Sequence, residues 1–484
     1  MGTQRPAFNS RHLASKITTV CLAILLTPFF IGCSGGSGSS GTTPTPTPTP
    51  TAKTAVQVNM GDSPADWMLA FSMNITSMSL TGSNGSTPVV STSTPIEMLH
   101  LMGSMQPLAM VNAPQGTYTG ASVTIGSATI MYMDPTTKLP VQTTIAGPIT
   151  GSITFSSPIT VGVTPMAMGF DLDLASSVTM GSGSMLSMTP VFHVTAGAQG
   201  AGNPMDFARG GVYQMMGSIS SVSGSSFGMT SMQAAQGFTF TTNSSTVFDG
   251  VSMSTMGNGM IVLVDAALQA DGTLLATRVH SLMGSGGVMG GGLIIAVTGQ
   301  PATALTMVMQ NGAGAGMMAS YFGTGATINL SGSTTYEIDD DQVDTSGLPF
   351  TPVFDASHIY AGQSVMPIGS GSMMSGGMGG GMMGGGSTAS TLTASKVQLQ
   401  PQGLTGTASS TIASAATSSF TLTLPTDCAF TTLTGATSVT VYQQPQTVLA
   451  NTSPIASGTS VHTFGLLFFD SGKWKMIAAR IGAN

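Results

Sequence analysis

Short runs in which hydrophobic and polar residues alternate make up most of the chain after Val56. Hydrophobic side chains occupy the odd positions in residues 71–75, and the phase then moves by one residue to Met78 and Leu80. Side chains of a strand point alternately to opposite faces, so the alternation predicts β-strands and each change of phase predicts a β-bulge. A similar change occurs across Gly126.

Helical periodicity is not sustained anywhere in this part of the chain, and clusters of Gly, Pro, Ser and Asn separate the alternating runs. This pattern is typical of an all-β protein. Residues 56–200 have the size and strand spacing of a β-sandwich. We therefore predict an all-β fold in which this N-terminal β-sandwich precedes three tandem small antiparallel β-barrel-like modules.

The three modules are predicted from an internal repeat. The hexapeptides L-L-A-T-R-V (274–279), L-T-A-S-K-V (392–397) and M-I-A-A-R-I (476–481) share Ala at the third position, a cation at the fifth and a β-branched residue at the sixth. A Gly-x-x-Val step, which begins at Gly259, Gly362 or Gly458, precedes each copy. Tandem self-similarity of this kind indicates related structural units. Their predicted bounds are 211–285, 292–400 and 401–484.

The turn before the repeated hexapeptide differs among the copies. Asp271-Gly272 and Ser471-Gly472 suit tight hairpin turns, because Gly tolerates a positive φ. The middle copy has a Gly/Met-rich segment, residues 369–386, at the same place. We predict an enlarged hairpin loop there, within the second module.

The N-terminus has the order of a secretory signal peptide, with Arg5, Arg11 and Lys16 followed by an apolar run from residue 17 to 31. The stretch that ends in Gly32-Cys33 resembles a bacterial lipobox, although Phe30 stands where that motif usually has Leu. This resemblance implies cleavage after residue 32 and lipid attachment at Cys33. An ordinary secretory signal with an incidental Cys is the alternative.

The predicted signal peptide covers residues 1–32, and residues 33–55 read as a Gly/Ser and Thr-Pro linker. Gly/Ser chains are flexible and Pro-rich chains are extended, so this linker would hold the folded part away from a membrane. In the lipoproteins that the sequence resembles, Ser after the lipidated cysteine is associated with the outer membrane. We expect an exported, lipid-anchored protein at the outer membrane or cell surface.

Several motifs of the N-terminal part resemble an uncharacterised family of domains found at the front of bacterial lipoproteins. They are G-D-S-P-A-D-W (61–67), I-E-M-L-H-L (96–101), A-P-Q-G-T-Y (113–118) and F-D-L-D-L (170–174). The tandem part resembles a second uncharacterised family of small β modules in exported bacterial proteins. Both resemblances imply location and a β fold, and neither implies catalysis.

Charged residues make up only 6% of the chain, and the formal net charge is −7. The predicted signal peptide contains three of the eleven Lys and Arg residues and none of the acids, so the remainder is more acidic still. Such a chain disfavours binding to phosphate backbones, and we predict no nucleic-acid partner. Cys21 would leave with the signal and Cys33 would be acylated, so Cys428 is predicted to be a buried, inert thiol.

Methionine is unusually frequent, with 37 residues. Soft thioethers bind Cu(I), so the methionines of the predicted loop form a candidate copper site. These residues are Met373, Met374, Met378, Met382 and Met383. Methionine also occurs throughout the other modules, which favours a general compositional bias.

Acidic residues crowd between positions 337 and 344, where carboxylates could bind Ca²⁺. The candidate ligands are Glu337, Asp339, Asp341 and Asp344. Their spacing departs from the known calcium-loop pattern, and a solvated acidic loop is the alternative. Five histidines after the signal peptide, at positions 100, 193, 280, 358 and 462, are scattered without metal-ligand spacing.

No G-x-S-x-G nucleophile elbow, P-loop or dinucleotide-binding fingerprint is recognised in the sequence. We therefore expect no catalytic activity and no cofactor apart from the Cu(I) or Ca²⁺ of the two site hypotheses. The predicted function is that of a membrane-anchored lipoprotein with a structural, adhesive or ligand-binding role. Its partners would be the membrane and a surface glycan or protein ligand, and the alternative function is handling of copper or another metal.

Overall fold

The described part of the chain folds almost entirely into β-strands. The computed structural model describes residues 52–63, 65–101, 103–134, 139–180, 186–200, 202–232, 236–282, 288–310, 325–372, 390–409, 417–450 and 455–483. The predicted signal peptide, Cys33, most of the linker and all five methionines of the candidate copper site lie outside these ranges. Within the described ranges, no helix is both long enough and apolar enough to cross a membrane.

The N-terminal part has eleven strands among the described residues. They are β1 Lys53–Ser63, β2 Met68–Gly82, β3 Gly85–Val90, β4 Thr94–Glu97, β5 Met105–Pro114, β6 Gly116–Met133, β7 Pro140–Val161, β8 Met166–Asp173, β9 Val178–Met180, β10 Leu186–Met188 and β11 Phe192–Ala198. A 3-10 helix covers Leu99–Leu101, and the short helix α1 covers Leu174–Ser177.

Two sheets of this part enclose one hydrophobic core, as predicted for a β-sandwich. One sheet has the order β11-β8-β1-β5, and the other has the order β3-β2-β6-β7 with β4 paired to β2. Their shared core contains Phe71, Tyr118 and Phe170, all fully buried. Strands β9 and β10 form a separate pair. The strand β1 begins at Lys53, so the last three residues of the predicted linker, Lys53–Ala55, belong to the strand and pair with β5.

The predicted irregularities of β2 and β6 are present. Pairing of β2 with β6 shifts in register around Ile75, and pairing of β6 with β7 shifts between Ile125 and Ser127. Each bulge moves the next hydrophobic side chain back to the core face, which explains the change of phase in the sequence. A turn at Gln115 joins β5 to β6, and Tyr118 closes it by donating from its hydroxyl to the Pro114 carbonyl, 2.9 Å away.

The three tandem units are built from the following strands. The first contains β12 Gly211–Ser223, β13 Ser226–Ser231, β14 Gly237–Thr241, β15 Val247–Asp249, β16 Ile261–Leu268 and β17 Leu274–Ser281. The second contains β18 Val288–Met289, β19 Gly292–Thr298, β20 Ala304–Met309, β21 Gly325–Asn329, β22 Thr335–Ile338, β23 Ser364–Ser372 and β24 Ser390–Leu399. The third contains β25 Gln402–Ala408, β26 Ser418–Thr423, β27 Ser438–Ala450, β28 Ser460–Asp470 and β29 Lys473–Ala483.

Each unit is a five-stranded barrel with the same connections, as the repeat predicted. The rings run β12-β13-β14-β17-β16, β19-β20-β21-β24-β23 and β25-β26-β27-β29-β28. All pairs within a ring are antiparallel except the one between the third and last strands in sequence, which run parallel. That parallel closure was not predicted. The last strand pairs with a further parallel segment, β15, β22 or the second half of β27.

The repeated hexapeptide lies on the last strand of every barrel. The first residue of the hexapeptide pairs with the third strand of the ring. On the other side, the pairing with the preceding strand shifts in register between the Ala and the cation of the hexapeptide. The residue between them, Thr277, Ser395 or Ala479, is left unpaired with the preceding strand as a β-bulge. The hexapeptide is therefore the sequence of a conserved irregularity in three copies of one fold.

The Gly-x-x-Val step also has one structural role in all three barrels. Gly259, Gly362 and Gly458 adopt φ values of 84°, 93° and 85°, which favour Gly over residues with a Cβ. Each N–H donates to a carbonyl of the first strand, with nitrogen to oxygen distances of 2.8 Å in every case. This turn leads the chain into the fourth strand.

The enlarged loop falls where a tight hairpin turn stands in the other two barrels. Strands β23 and β24 pair antiparallel up to Ser372 and Thr391, so residues 369–372 belong to the strand and not to the loop as predicted. The residues between the strands lie outside the described ranges.

Cys428 is free and buried, as predicted, and its sulfur caps the short helix α2, Ala429–Thr434.

A threonine that sequence analysis did not identify braces each bulge. The Oγ1 atoms of Thr246, Thr334 and Thr447 donate to the carbonyl of the repeated Ala at 2.7, 2.9 and 2.7 Å. The same threonine Oγ1 also accepts a hydrogen bond from the backbone N–H of the residue three positions before the threonine, at 3.0, 2.9 and 2.8 Å. One hydroxyl thus satisfies two backbone groups next to the bulge.

We expect Thr334→Val to destabilise the protein by about 2 kcal/mol, because it leaves two backbone groups without the hydroxyl they share. Thr334→Ser retains the hydroxyl and should recover most of the loss. Urea unfolding measures both. Thr335→Val serves as the matched control, because it removes an exposed hydroxyl that donates to one carbonyl, that of Ser395 at 3.2 Å, where water can replace it. Equal stability of the Thr334→Val and Thr335→Val variants would contradict the bracing role.

Candidate functional site

The cation at the fifth position of the repeated hexapeptide lines a cavity between the first and second barrels in two of its three copies. Arg278 on β17 and Lys396 on β24 both border it, and its volume is about 330 Å³. This volume lies within the range of small-molecule sites. The other lining residues come from both barrels: Gln214, Asp249, Leu263, Asp265, His280, Glu337, Ile338, Asp339, Asp340, Asp341 and Gln398.

Each cation has an acidic partner on the parallel segment of its own barrel. Arg278 lies 3.3 Å from Asp249, measured from Nη2 to Oδ2, and Lys396 Nζ lies 2.9 Å from Glu337 Oε2. The two acids occupy equivalent places, since Asp249 pairs with His280 and Glu337 with Gln398, each two residues past the cation. The barrel fold therefore generates the same ion pair twice.

His280 extends the pair of the first barrel. Its Nδ1 atom lies 2.7 Å from Asp249 Oδ2. The hydrogen bond from His280 lowers the pKa of Asp249, and Arg278 contributes in the same direction. Asp249 is therefore ionised at neutral pH.

Contacts across the cavity come from the acidic residues that follow β22. Asp341 of the second barrel forms an ion pair with Arg278 of the first. The side-chain amide of Gln214 in the first barrel donates to Asp339 of the second. The predicted acidic cluster thus forms part of an interface between two barrels.

Gln214 has an unusual backbone conformation. It lies in a bulge of β12, and its φ of 46° is in the left-handed region that non-glycine residues rarely adopt. The bulge directs its N–H to Asp265 Oδ1 at 2.7 Å, while its side chain reaches Asp339. Strained residues of this kind often occur at binding sites, where surrounding contacts hold them in place.

Asp265 and Asp339 are both buried, with exposed fractions of 5% and 4%. Burial raises the pKa of each carboxyl to about 7, and the nearby charge of Asp341 acts in the same direction. Hydrogen bonds from Gln214 oppose the shift in both cases. Two acids that titrate near neutrality therefore line a cavity whose cations, Arg278 and Lys396, already have acidic partners.

The four residues of the calcium hypothesis have separate surroundings. Glu337 pairs with Lys396, Asp341 pairs with Arg278, and Asp339 accepts from Gln214. Asp344 Oδ1 instead accepts the Ser346 N–H at 2.8 Å. Within the described ranges, no group of three or more His, Cys, Asp or Glu side chains is arranged to hold a metal ion. Calcium binding stays a prediction, as does copper binding by the methionines outside the described ranges.

Three histidines lie beside aspartates, a grouping that their positions in the sequence did not suggest. His193 lies 3.5 Å from Asp173, and His358 lies 2.8 Å from Asp355. Only His280 belongs to the charged cavity. A histidine near two carboxyls of near-neutral pKa is also a grouping used in acid–base catalysis. The prediction that the protein is not an enzyme relied in part on the scatter of the histidines along the sequence. The grouping of His280 with acidic residues weakens that argument, and the prediction stays untested.

A serine motif escaped the sequence analysis. Residues 224–228 have the G-x-S-x-G spacing of a nucleophile elbow. They lie in the hairpin between β12 and β13, where Ser226 Oγ donates to the Ser223 carbonyl at 2.9 Å. A nucleophile elbow joins a strand to a helix, so this segment is an ordinary β-turn.

The residues of the cavity were only partly identifiable in advance. The acidic cluster and the repeated cations were visible, but Gln214, Asp249, Asp265 and His280 were not singled out. The repeat could have located Asp249, because it follows the bracing Thr246 by three residues, as Glu337 follows Thr334. Asp265 and Gln214 could be identified only from the bulges that bring them together.

The raised pKa values predict a loss of stability with rising pH. Between about pH 4 and pH 7 the folded protein binds more protons at Asp265 and Asp339 than the unfolded chain does, so the free energy of unfolding falls as pH increases. Asp339→Asn removes one of these groups and keeps an acceptor for Gln214. The variant should therefore gain stability relative to wild type between pH 5 and pH 8, by about 2–4 kcal/mol.

Chemical denaturation at both pH values measures this difference. Asp340→Asn is the matched control, since Asp340 is the exposed neighbour in the same acidic cluster. Other buried acids affect both variants equally. If the two variants respond to pH in the same way, Asp339 does not titrate near neutrality.

Comparison with known proteins identifies one part of the chain. No curated protein and no solved structure matches it. Residues 216–280, which run from β12 to β17 and include Arg278 and His280, match the family model described as domain of unknown function DUF5666.

Proposed function

We propose that this protein is an exported lipoprotein that binds a small cationic ligand in the charged cavity between its first two barrels. The observation that carries this proposal is the missing counter-charge at Asp265 and Asp339. Among the described residues, Arg278, Lys396 and His280 all have acidic partners, whereas no ion pair includes Asp265 or Asp339.

An amine or another cation would supply this counter-charge. Ionisation of the two buried carboxyls is unfavourable because burial removes water, and the charge of Arg278, which is already paired with Asp249 and Asp341, opposes this effect only in part. A positively charged group in the cavity would favour the ionised forms, and its binding would release protons near neutral pH. The paired charges of the two barrels form the walls, so the site is open to a polar ligand and offers little apolar surface.

The location is proposed from the sequence. The basic N-terminus, the apolar run and Cys33 support export and lipid attachment, and the Gly/Ser and Thr-Pro linker supports a spacer from the membrane. Few residues are charged and the net charge is negative, which supports the proposal that the protein does not bind nucleic acid. The tandem barrels would then present the ligand site away from the lipid surface.

The ligand class can be tested by calorimetric titration with spermidine, ethanolamine and Ca²⁺, with ethylene glycol as the neutral control. We expect a cation to bind about a hundredfold more tightly at pH 8 than at pH 6, since two carboxyls of pKa near 7 must lose protons and each contributes about tenfold. Replacement of both Asp265 and Asp339 by Asn should abolish binding.

Asp340→Asn provides the control, because it removes a carboxylate from the same cavity without touching the buried pair. Equal loss of affinity in this control would indicate general attraction to acidic groups. Binding that does not depend on pH, or no binding of any of the three cations, would reject the proposed ligand class.

Lipid attachment is tested separately, by metabolic labelling with a palmitate analogue. We expect wild-type protein to incorporate the label and to fractionate with membranes, and Cys33→Ala to do neither. Cys21→Ala, within the predicted signal peptide, should retain both properties. Labelling of Cys33→Ala at the wild-type level would overturn the anchor, whatever the outcome of the cation titrations.

A further inference from the structure

A second cavity lies where the sandwich and all three barrels come together. Its volume is about 120 Å³, and its walls include Leu99 of the sandwich, Tyr213 of the first barrel, Gln400 after the second and Phe464 of the third. Among its lining residues in the described part of the chain there is no Lys, Arg or His, and Asp66 is the only acid. It differs in this respect from the charged cavity.

Two deeply buried polar groups of this cavity have no protein partner. Tyr213 is 4% exposed and Gln400 is 7% exposed. The hydroxyl of Tyr213 and the Nε2 amide of Gln400 form no hydrogen bond within the described ranges. A buried polar group without a partner costs about 1–3 kcal/mol, so two such groups beside one cavity call for an explanation.

Two other glutamines that line the same cavity form hydrogen bonds within the protein. Gln310 Nε2 donates to the Leu69 carbonyl at 3.0 Å. Gln402 accepts the Ser364 N–H at 2.6 Å through Oε1 and donates to the Gly362 carbonyl at 2.8 Å through Nε2. The fold can therefore supply hydrogen-bond partners to glutamine amides at this junction. Gln400 Nε2 and the Tyr213 hydroxyl are the groups beside this cavity that have none among the described residues.

We propose that this cavity binds an uncharged organic molecule that has an apolar body and a carbonyl oxygen. Gln400 Nε2 and the Tyr213 hydroxyl are donors that can meet the oxygen, and side chains such as Leu99, Leu293, Met366 and Phe464 form the apolar wall. Ligand sites commonly combine an apolar lining with a few polar groups that fix orientation. The absence of cations among the lining residues disfavours a carboxylate or phosphate ligand.

The proposal can be tested with acetophenone and ethylbenzene, which share a carbon skeleton and differ in the carbonyl oxygen. Ligand-observed NMR on the whole exported protein measures both affinities. We expect acetophenone to bind at least tenfold more tightly, and Gln400→Leu and Tyr213→Phe each to reduce that preference. Both variants should unfold at or above the wild-type temperature without ligand, because each removes an unsatisfied buried group.

Gln402→Leu is the matched control. It lines the same cavity but breaks two internal hydrogen bonds, so it should lower the unfolding temperature. Equal affinity for the two probes would show a cavity occupied by water or by apolar molecules only, and would overturn the proposal. The same conclusion would follow if Gln400→Leu lowered stability as much as Gln402→Leu. Neither outcome depends on the cation site, whose test uses different probes and residues.

Discussion

The hydrogen bond from a threonine hydroxyl to the carbonyl of the repeated Ala is the interaction on which the barrels depend. A small barrel closes only if its last strand can bend sharply, and a bulge supplies that bend at the cost of unpaired backbone groups. Thr246, Thr334 and Thr447 restore a partner at that point and also fix the turn that brings the parallel segment alongside. Bulge, turn and parallel closure are therefore one unit.

This unit also determines where charge can be placed. The bulge lies directly before the cation of the repeated hexapeptide. The parallel segment runs beside the same strand and places one residue within reach of that cation. The first two barrels have Asp249 and Glu337 at that position, whereas the third has Ala450. Arg480 instead donates to the Gly103 carbonyl at 2.8 Å and lies over the Phe207 ring. The same repeated residue thus borders the charged cavity in two barrels and joins the third barrel to the sandwich.

The sequence was sufficient for the parts of the fold that depend on local patterns. Alternation located the strands, a change of phase located the bulges at Ile75 and Ile125, and the repeat located three related units. The parallel closure was not predictable, because alternation has the same period in parallel and antiparallel strands. The charged cavity was not predictable either, since Arg278 and Asp341 are distant in sequence and meet only when two barrels pack together.

The scarcity of charge explains how the modules are joined and why the charged cavity is exceptional. Buried amides make the contacts between modules: Gln310 donates to the Leu69 carbonyl of the sandwich, and Gln363 donates to the Leu467 carbonyl of the third barrel. A neutral amide loses less hydration on burial than an ion does, so such contacts need no compensating charge. These two contacts therefore join modules without ionised groups, in contrast to Arg480 and to the Arg278–Asp341 ion pair. Asp265 and Asp339 form no ion pair among the described residues, so no opposite charge fully compensates their burial, and this is the feature that the proposed cation site would explain.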